Sequence, residues 1–199
     1  MIIRTEAFAR AGLLGNPSDG YFGKTISFAF EQFSANVTLY ESPTVEILPA
    51  SQDISRFGSL KELHRDVSLH GYYGGVRIIK AIAKRFLDYC DHHDIILPDR
   101  NFTISYDTDI PRLVGLAGSS AIAMATIKAL MQFYEVKFPR ELVPTIVLEA
   151  ETHELGISAG YQDRVIQAYQ GLVYMDFDKE LMHETNFHYF YNRSPAQFG

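Results

Sequence analysis

The sequence predicts an α+β fold, because strand-like segments occur in consecutive pairs and do not alternate with helices one by one. Apolar residues of period two indicate the strands, and apolar stripes of helical spacing indicate the helices. A doubly wound parallel sheet would need regular strand–helix–strand units, which this pattern lacks. At 199 residues the chain can bury a sizeable core without disulfides or structural metals.

The first elements are two strands separated by a loop. Ile2–Leu14 and Ser34–Leu48 carry apolar residues in strand-like patterns, and the second segment is interrupted at Ser42-Pro43. Gly15–Gly23 lies between them and is dense in glycine, proline, asparagine and aspartate. Such a density of turn-forming residues is typical of an irregular loop.

Helices are predicted through the middle of the chain. Leu60–His64 is a predicted short helix, and Gly71–Tyr89 is a predicted amphipathic helix with basic residues opposite its apolar stripe. A strand over Asn101–Tyr106 cannot continue past Pro111. The remaining predicted elements are helices over Ile122–Tyr134 and Pro139–His153, and strands over Gly171–Phe177 and Phe187–Tyr191.

Composition argues against several classes of protein. The net charge of −6, with no block of like charges, disfavours a nucleic-acid partner, which would need a basic face. No stretch of membrane-spanning length is free of charged residues, and the N-terminus lacks the apolar run of a signal peptide. The single cysteine, Cys90, fits a reducing compartment. We therefore expect a cytoplasmic protein with neither a nucleic-acid nor a membrane partner.

Residues 115–121 form the most informative motif, Gly-Leu-Ala-Gly-Ser-Ser-Ala, which runs directly into a predicted helix. Small residues let the backbone approach a ligand closely, and the free N–H groups at a helix N-terminus attract anions such as phosphate. The motif alone is equally consistent with a turn before a core helix. The candidate nucleotide-binding residues are Gly115, Leu116, Ala117, Gly118, Ser119, Ser120 and Ala121.

Two further segments concentrate reactive residues, one from Arg10 to Asp19 and one from Glu151 to Arg164. Phosphoryl transfer needs a phosphate cradle, a carboxylate for Mg²⁺ and a charged group near the attacking hydroxyl. The three segments together contain each of these parts. Residues 23–25 resemble the end of a Walker phosphate loop, but a serine occupies the position of that loop's first glycine. The Walker interpretation is therefore disfavoured.

The three segments resemble signatures of the GHMP kinases, a family that includes galactokinase, homoserine kinase and mevalonate kinase. Pro111–Ile122 resembles the phosphate-binding signature, Arg10–Asp19 the N-terminal substrate signature, and Glu151–Asp163 the pair of metal glutamate and catalytic aspartate. The signatures occur in the family's order, and the resemblance extends to about Tyr191. Within the family the glucuronokinases are most similar, through residues 14–19, 71–77, 105–112 and 160–164.

This resemblance implies a two-layer α+β domain, similar to domain 2 of ribosomal protein S5, that uses ATP and Mg²⁺. Asp163 matches the catalytic aspartate, which orients or deprotonates the sugar hydroxyl, and Arg10 matches an arginine near that hydroxyl and the γ-phosphate. Asp19 matches a ligand of a sugar hydroxyl. The implied activity is that of an ATP-dependent sugar-1-kinase that converts D-glucuronate to D-glucuronate 1-phosphate.

The metal site is implied in the same way. Ser119 and Ser120 match the pair from which a serine reaches Mg²⁺, and Glu151 matches the acidic metal ligand. Glu154 is the alternative ligand if the register of that helix differs by one turn.

The sugar side departs from the galactokinase pattern. Asn16-Pro17 stands where galactokinases have Glu-His, and this change fits a different sugar. Tyr73 lies in a glycine-rich run that is a candidate sugar-side loop. A sugar acid also needs a counter-charge, which a planar guanidinium supplies best. The candidates for that contact are Arg77, Arg112 and Lys24.

The resemblance also predicts the domain organisation. Residues 1–185 are expected to form the N-terminal domain, and residues 186–199 to begin a C-terminal domain that is cut short. No second glycine-rich signature follows Gly171, although the family carries one in its C-terminal domain. The alternatives are a different small-molecule kinase of the family, of the galactokinase type, or an inactive binding module that lacks half of the nucleotide site.

Overall fold

The computed structural model describes residues 1–50, 53 and 74–184. A short 3-10 turn covers Ser18–Tyr21, and a π-helical turn covers Ala150–Glu154. The strands are β1 (Ile2–Leu14), β2 (Lys24–Ser42), β3 (Glu46–Leu48), β4 (Asn101–Thr108) and β5 (Leu172–Asp176), and the helices are α1 (Gly75–His92), α2 (Gly118–Phe133), α3 (Leu142–Glu149), α4 (Gln162–Tyr169) and α5 (Lys179–Glu184).

The five strands form one mixed sheet with the order β1-β2-β4-β3. The long strand β2 is central: its first part pairs with β5, its last part pairs with β4, and β1 runs antiparallel along its other edge. Among the strands of the described residues, only β3 joins in parallel, beside β4. Long antiparallel strands with few crossovers are typical of α+β proteins, and the predicted fold class is confirmed.

The helices cover one face of this sheet, which gives two layers. Alternate residues of the sheet are buried, for example Val37, Leu39 and Ile104, while Ile2 on β1 is exposed. Helix α2 lies in the middle of the helical layer and is buried around most of its circumference. The hydroxyl of Thr5 donates a hydrogen bond of 2.6 Å to the carbonyl of Ala125, which fixes α2 against β1.

The start of α1 depends on a glycine packed against an aromatic ring. The N–H of Gly75 donates to Asp53 Oδ1 and to the Tyr106 hydroxyl, at 3.0 and 3.1 Å, and a Cβ atom at position 75 would collide with the Tyr106 ring. Gly75→Ala is therefore expected to lower the free energy of unfolding by roughly 1–3 kcal/mol, measured by chemical denaturation. Gly74→Ala is the control, because its Cβ would meet only Asp53, at 3.4 Å.

Several predicted boundaries differ from the structure. Strand β2 begins at Lys24, well before the predicted start at Ser34, and α2 begins at Gly118, so the last part of the glycine motif is helical. The helix predicted over Pro139–His153 is α3 followed by the π-helical turn. The predictions for Leu60–His64, Phe187–Tyr191 and residues 186–199 lie outside the described residues. Among the described helices, none combines the length and the apolar character needed to cross a bilayer.

Candidate active site

The glycine-rich segment forms a loop in which residues of positive φ alternate with residues of negative φ. Leu113, Gly115 and Ala117 have positive φ values of 61°, 76° and 60°. Residues that alternate in this way turn successive N–H groups towards one side and form a concave anion site. A Cβ atom at position 115 would meet no atom within 4 Å, and Gly115 is the member of the three for which this backbone is free of strain.

The loop is tied to two other elements at its end. The backbone N–H of Arg10 in β1 donates to the carbonyl of Leu116 at 3.3 Å. The side-chain amide of Gln167 in α4 donates to the carbonyl of Ala117 at 3.0 Å and to that of Phe8 at 3.2 Å. The loop is therefore held between β1 and α4.

Helix α2 starts directly after this loop. The N–H of Ala121 bonds to the carbonyl of Ala117 at 3.0 Å, so Ala117 is the N-cap residue. The N–H groups of Gly118, Ser119 and Ser120 have no acceptor within the helix, as in any first helical turn. These groups, with the positive end of the helix dipole, suit an anionic ligand.

A cavity of about 510 Å³ lies against the loop and contains an ion pair. Arg10 on β1 and Asp163 in the first turn of α4 are paired through Arg10 Nη2 and Asp163 Oδ1. The Nε atom of Arg10 is also buried and has no acceptor in the part of the chain that the structure describes. The cavity is lined by Arg10, Thr108, Ile110, Pro111, Arg112, Leu113, Gly115, Leu116, Ala117, Gly118, Ser119 and Asp163.

The cavity thus brings together two predicted catalytic residues and five of the seven predicted loop residues. Ser120 and Ala121 belong to the same helical turn but are buried beneath the cavity wall. The Nε of Arg10 and the first N–H groups of α2, which have no acceptor in the part of the chain that the structure describes, offer donors to phosphate oxygens. These hydrogen-bond donors therefore fit the phosphates of a nucleoside triphosphate.

The N-terminus of α4 also contacts the predicted sugar-side residues. The carboxylate of Asp19 accepts a hydrogen bond of 3.0 Å from the backbone N–H of Gln162, next to Asp163. Asn16 lies beside Gly12, where a Cβ atom would come within 3.0 Å of both Asn16 and Gln162. Asp19 therefore caps α4 from a distant segment, and its other oxygen, Oδ1, makes none of the hydrogen bonds seen among the described residues.

A second ion pair lies behind the loop. Glu151 is fully buried, and its Oε2 atom accepts hydrogen bonds from Nε and Nη2 of Arg164, the former at 2.7 Å. Its Oε1 atom lies 3.5 Å from the hydroxyl of Ser120. The structure thus brings Ser120 and Glu151 together, whereas Ser119 lines the cavity.

These oxygens fit a hard cation only in combination with a ligand. In the described ranges, 1–50, 53 and 74–184, no three His, Cys, Asp or Glu side chains cluster as a metal site would require. Mg²⁺ is commonly held by one or two carboxylates together with substrate phosphates and water. In a site of this kind the protein carboxylate would be that of Glu151, which has one oxygen on Arg164 and one facing Ser120.

The remaining predicted residues lie elsewhere. Glu154 binds Lys84 at 2.9 Å on the surface, which separates it from the loop. Arg77 donates to the carbonyl of Leu155 at 3.3 Å and does not line the cavity, whereas Arg112 does. The ammonium of Lys24 pairs with a carboxylate on β5 at 2.8 Å. Tyr73 lies outside the described residues.

Tyr161 is a titratable group directly before α4, but it is not suited to exchange a proton near neutral pH. Its ring stacks on Phe177 with centroids 6.2 Å apart. Burial raises the pKa of the Tyr161 phenol to about 12, so it stays protonated near neutral pH. The carboxylate of Asp163, by contrast, lines the cavity.

Reasoning from the sequence misses three side chains that hold this site: Gln162, Arg164 and Gln167. Each is at most 3% exposed, although each belongs to a residue type that is usually on the surface. The signal that could find them is their spacing. All three belong to the eight residues of α4, where Arg164 and Gln167 lie three residues apart on one face and reach Glu151 and the loop.

Comparison with known proteins identifies relatives. Residues 77–171 match the family model of the GHMP kinases N terminal domain. Glucuronokinase 1 of Arabidopsis thaliana is 51% identical over 183 residues, which are 90% of this chain and 50% of that protein. The D-glycero-alpha-D-manno-heptose 7-phosphate kinase of Campylobacter jejuni is 24% identical over 181 residues, which are 88% of this chain and 50% of that protein.

The fold agrees with these relatives. The crystal structure of a D-glycero-D-manno-heptose 1-phosphate kinase from Bacteriodes thetaiotaomicron has a TM-score of 0.69 at 23% identity. The match covers 90% of this chain and 57% of that one. The chain spans about half the length of the curated relatives it matches.

Proposed function

We propose that the protein is an ATP-dependent sugar-1-kinase whose substrate is D-glucuronate, because residues 77–171 match the GHMP kinases N terminal domain and glucuronokinase 1 is similar over most of this chain. The observation that carries the proposal is the Arg10–Asp163 ion pair, which lies in the same cavity as the glycine loop and the N-terminus of α2. A phosphate cradle beside a carboxylate and a guanidinium is the arrangement that phosphoryl transfer requires.

The proposed reaction assigns a role to each side of the cavity. The hydroxyl oxygen of the sugar attacks the γ-phosphorus of ATP, a new O–P bond forms, and the bond to the β-phosphate oxygen breaks to release ADP. Asp163 orients the hydroxyl or accepts its proton. Arg10 stabilises the negative charge that develops on the transferred group, and the backbone amides of the loop hold the other phosphates.

Mg²⁺ belongs to the proposal as a cofactor that neutralises charge on the ATP phosphates. Its ligands would be Glu151 and a hydroxyl of Ser119 or Ser120, because the Glu151 carboxylate faces Ser120 and Ser119 lines the cavity in the same helical turn. The chain itself orients them: Arg164 holds Glu151, and the helix holds both serines.

Substrate specificity rests on the sugar side of α4. Asp19 and Asn16 are the proposed contacts to sugar hydroxyls, because both lie against the N-terminus that carries Asp163. The carboxylate of a sugar acid would meet Arg112 at the cavity wall. Arg77 is proposed as a more distant contributor. The similarity to glucuronokinase 1 supports glucuronate over neutral sugars.

We infer a cytosolic location as well. The one cysteine of the sequence, Cys90, is buried and free, and a chain that uses no internal disulfide is typical of a reducing compartment. The net charge of −6 disfavours a nucleic-acid partner.

The test is a direct assay of the protein with Mg²⁺-ATP and a panel of sugars, with Arabidopsis glucuronokinase 1 as positive control. We expect ADP release with glucuronate and a phosphate at the anomeric oxygen, detected by ³¹P NMR. Turnover of galactose but not of glucuronate would show that glucuronate is not the substrate and would favour a galactokinase-like enzyme. Failure to bind Mg²⁺-ATP in a calorimetric titration of the 199-residue chain would favour an inactive module.

A glycine substitution isolates the contribution of Asp19. A Cβ atom at Gly160 would collide with the carboxylate of Asp19, which is the tip of a side chain and can move away. Gly160→Ala should therefore raise the KM for the sugar by roughly 10-fold or more, the loss expected when a charged hydrogen bond is broken. The affinity for ATP, measured by calorimetry, should stay unchanged.

Gly20→Ala is the matched control for this substitution. Gly20 neighbours Asp19 in the sequence, but a Cβ atom there would meet nothing within 4 Å. If Gly160→Ala and Gly20→Ala give the same KM for the sugar, Asp19 does not bind the substrate.

A further inference from the structure

Arg164 touches both candidate carboxylates of the site. Its Nε and Nη2 atoms donate to Glu151, its Nη1 atom donates to the carbonyl of Gly160 at 2.8 Å, and Nη1 also lies 3.7 Å from Asp163 Oδ2. The side chain of Arg164 is only 3% exposed. A guanidinium buried between two carboxylates has few other arrangements available to it.

The two oxygens of each carboxylate, in Asp163 and in Glu151, face different partners. Asp163 Oδ1 pairs with Arg10 while Oδ2 faces Arg164. Glu151 Oε2 pairs with Arg164 while Oε1 faces Ser120. Charges therefore alternate along a continuous row from Glu151 through Arg164 and Asp163 to Arg10, and this row joins the loop side of the site to the cavity.

We propose that Arg164 is a positioning residue, which fixes the rotation of Asp163 and Glu151 relative to each other. This inference rests on the proposed kinase function. Arg164 donates to Glu151 Oε2 and lies within ion-pair distance of Asp163 Oδ2, and this leaves Glu151 Oε1 facing Ser120 and Asp163 Oδ1 against Arg10. The bond from Arg164 to Gly160 also fixes the chain just before α4.

A purely stabilising role explains this arrangement less well. Burying an ion pair costs desolvation energy, and the attraction between the two charges often does not offset that cost. Apolar residues of similar size would therefore stabilise the fold equally well. The geometry also requires arginine. The planar fork reaches Glu151 on one edge and Gly160 with Asp163 on the other, whereas a lysine ammonium provides a single point of contact.

The test is Arg164→Lys in the intact protein, assayed as turnover per mole of ATP-binding protein. Lysine keeps the charge and loses the fork. We expect kcat to fall by roughly 10- to 100-fold, the range that follows from a misplaced catalytic group, with the KM for ATP changed by less than about 3-fold. A residue that only stabilises the fold would lower the melting temperature and leave kcat per folded molecule intact.

Arg140→Lys is the matched control. Arg140 anchors the other end of α4 through the carbonyls of Ala168 and Tyr169, so this variant perturbs the same helix away from the cavity. We expect its kcat to equal that of the unmodified protein. Equal values of kcat for Arg164→Lys and Arg140→Lys would overturn the positioning role.

Arg164→Gln covers the case in which Arg164→Lys does not fold. Glutamine is neutral and keeps a donor for Glu151, so the same fall in kcat is expected. If neither variant folds, Arg164 is a structural residue and the proposal is wrong. If the unmodified protein transfers no phosphate to any sugar, the proposed function itself fails, and that result is seen before any variant is compared.

Discussion

Asp163→Asn is expected to reduce kcat by roughly 10²- to 10⁴-fold, the usual contribution of a positioned acid–base group, with ATP affinity retained within about 3-fold. Asparagine has the shape of aspartate but accepts no proton and carries no charge. The variant also leaves the buried guanidinium of Arg10 without its ion-pair partner. The amides of the loop, which would bind the phosphates, do not depend on this carboxylate.

The measurement pairs a coupled assay for ADP with calorimetric binding of Mg²⁺-ATP. Asp88→Asn is the control, because Asp88 forms a surface ion pair with Lys84 on α1 and lies outside the cavity. Its kcat should equal that of the unmodified protein. If Asp163→Asn keeps more than about a tenth of the turnover, Asp163 is not the group that activates the hydroxyl.

How far the fold can be read from the sequence depends on which residues fill the buried positions. In β1 and β4 the buried positions are largely apolar, so period-two alternation predicts both strands. In the first part of β2 the buried positions are Thr25 and Ser27, while Phe28 and Phe30 are only partly buried. Polar residues therefore occupy the buried positions there and apolar residues the more exposed ones, so the sequence pattern does not reveal where the strand starts.

The candidate site likewise contains residues that the sequence predicts and residues that it does not. The glycine loop can be identified from the sequence because small residues directly before a helix are typical of an anion site, whereas Arg10 and Asp163 are predicted through the resemblance to the GHMP kinase signatures. Arg164 instead resembles a surface partner of its neighbour Asp163, since an arginine beside an aspartate near a helix start is usually solvated. Its burial comes from Glu151, which lies 13 residues earlier in the sequence and supplies the compensating charge. The tertiary fold brings the two together, because Arg164 lies on α4 and Glu151 on the π-helical turn.

Glu151→Gln is the second substitution with a large expected effect. Glutamine fills the same space but removes the charge that compensates Arg164, and both residues are buried. Removing one partner of a buried ion pair costs roughly 3–5 kcal/mol, because the other charge stays buried without compensation. We expect a loss of this size in the free energy of unfolding, measured by urea denaturation of the 199-residue chain.

Glu154→Gln is the natural comparison, since it lies one helical turn away and is the alternative metal ligand. Glu154 binds Lys84 at the surface, and such pairs contribute about 0–1 kcal/mol. The same two variants also separate the candidate ligands in the assay: Glu151→Gln should raise the Mg²⁺ concentration needed for half-maximal turnover, and Glu154→Gln should not. If instead Glu154→Gln raises the required Mg²⁺ concentration and Glu151→Gln does not, Glu154 is the metal ligand. Glu151 then has only a structural role, as the ion-pair partner of Arg164.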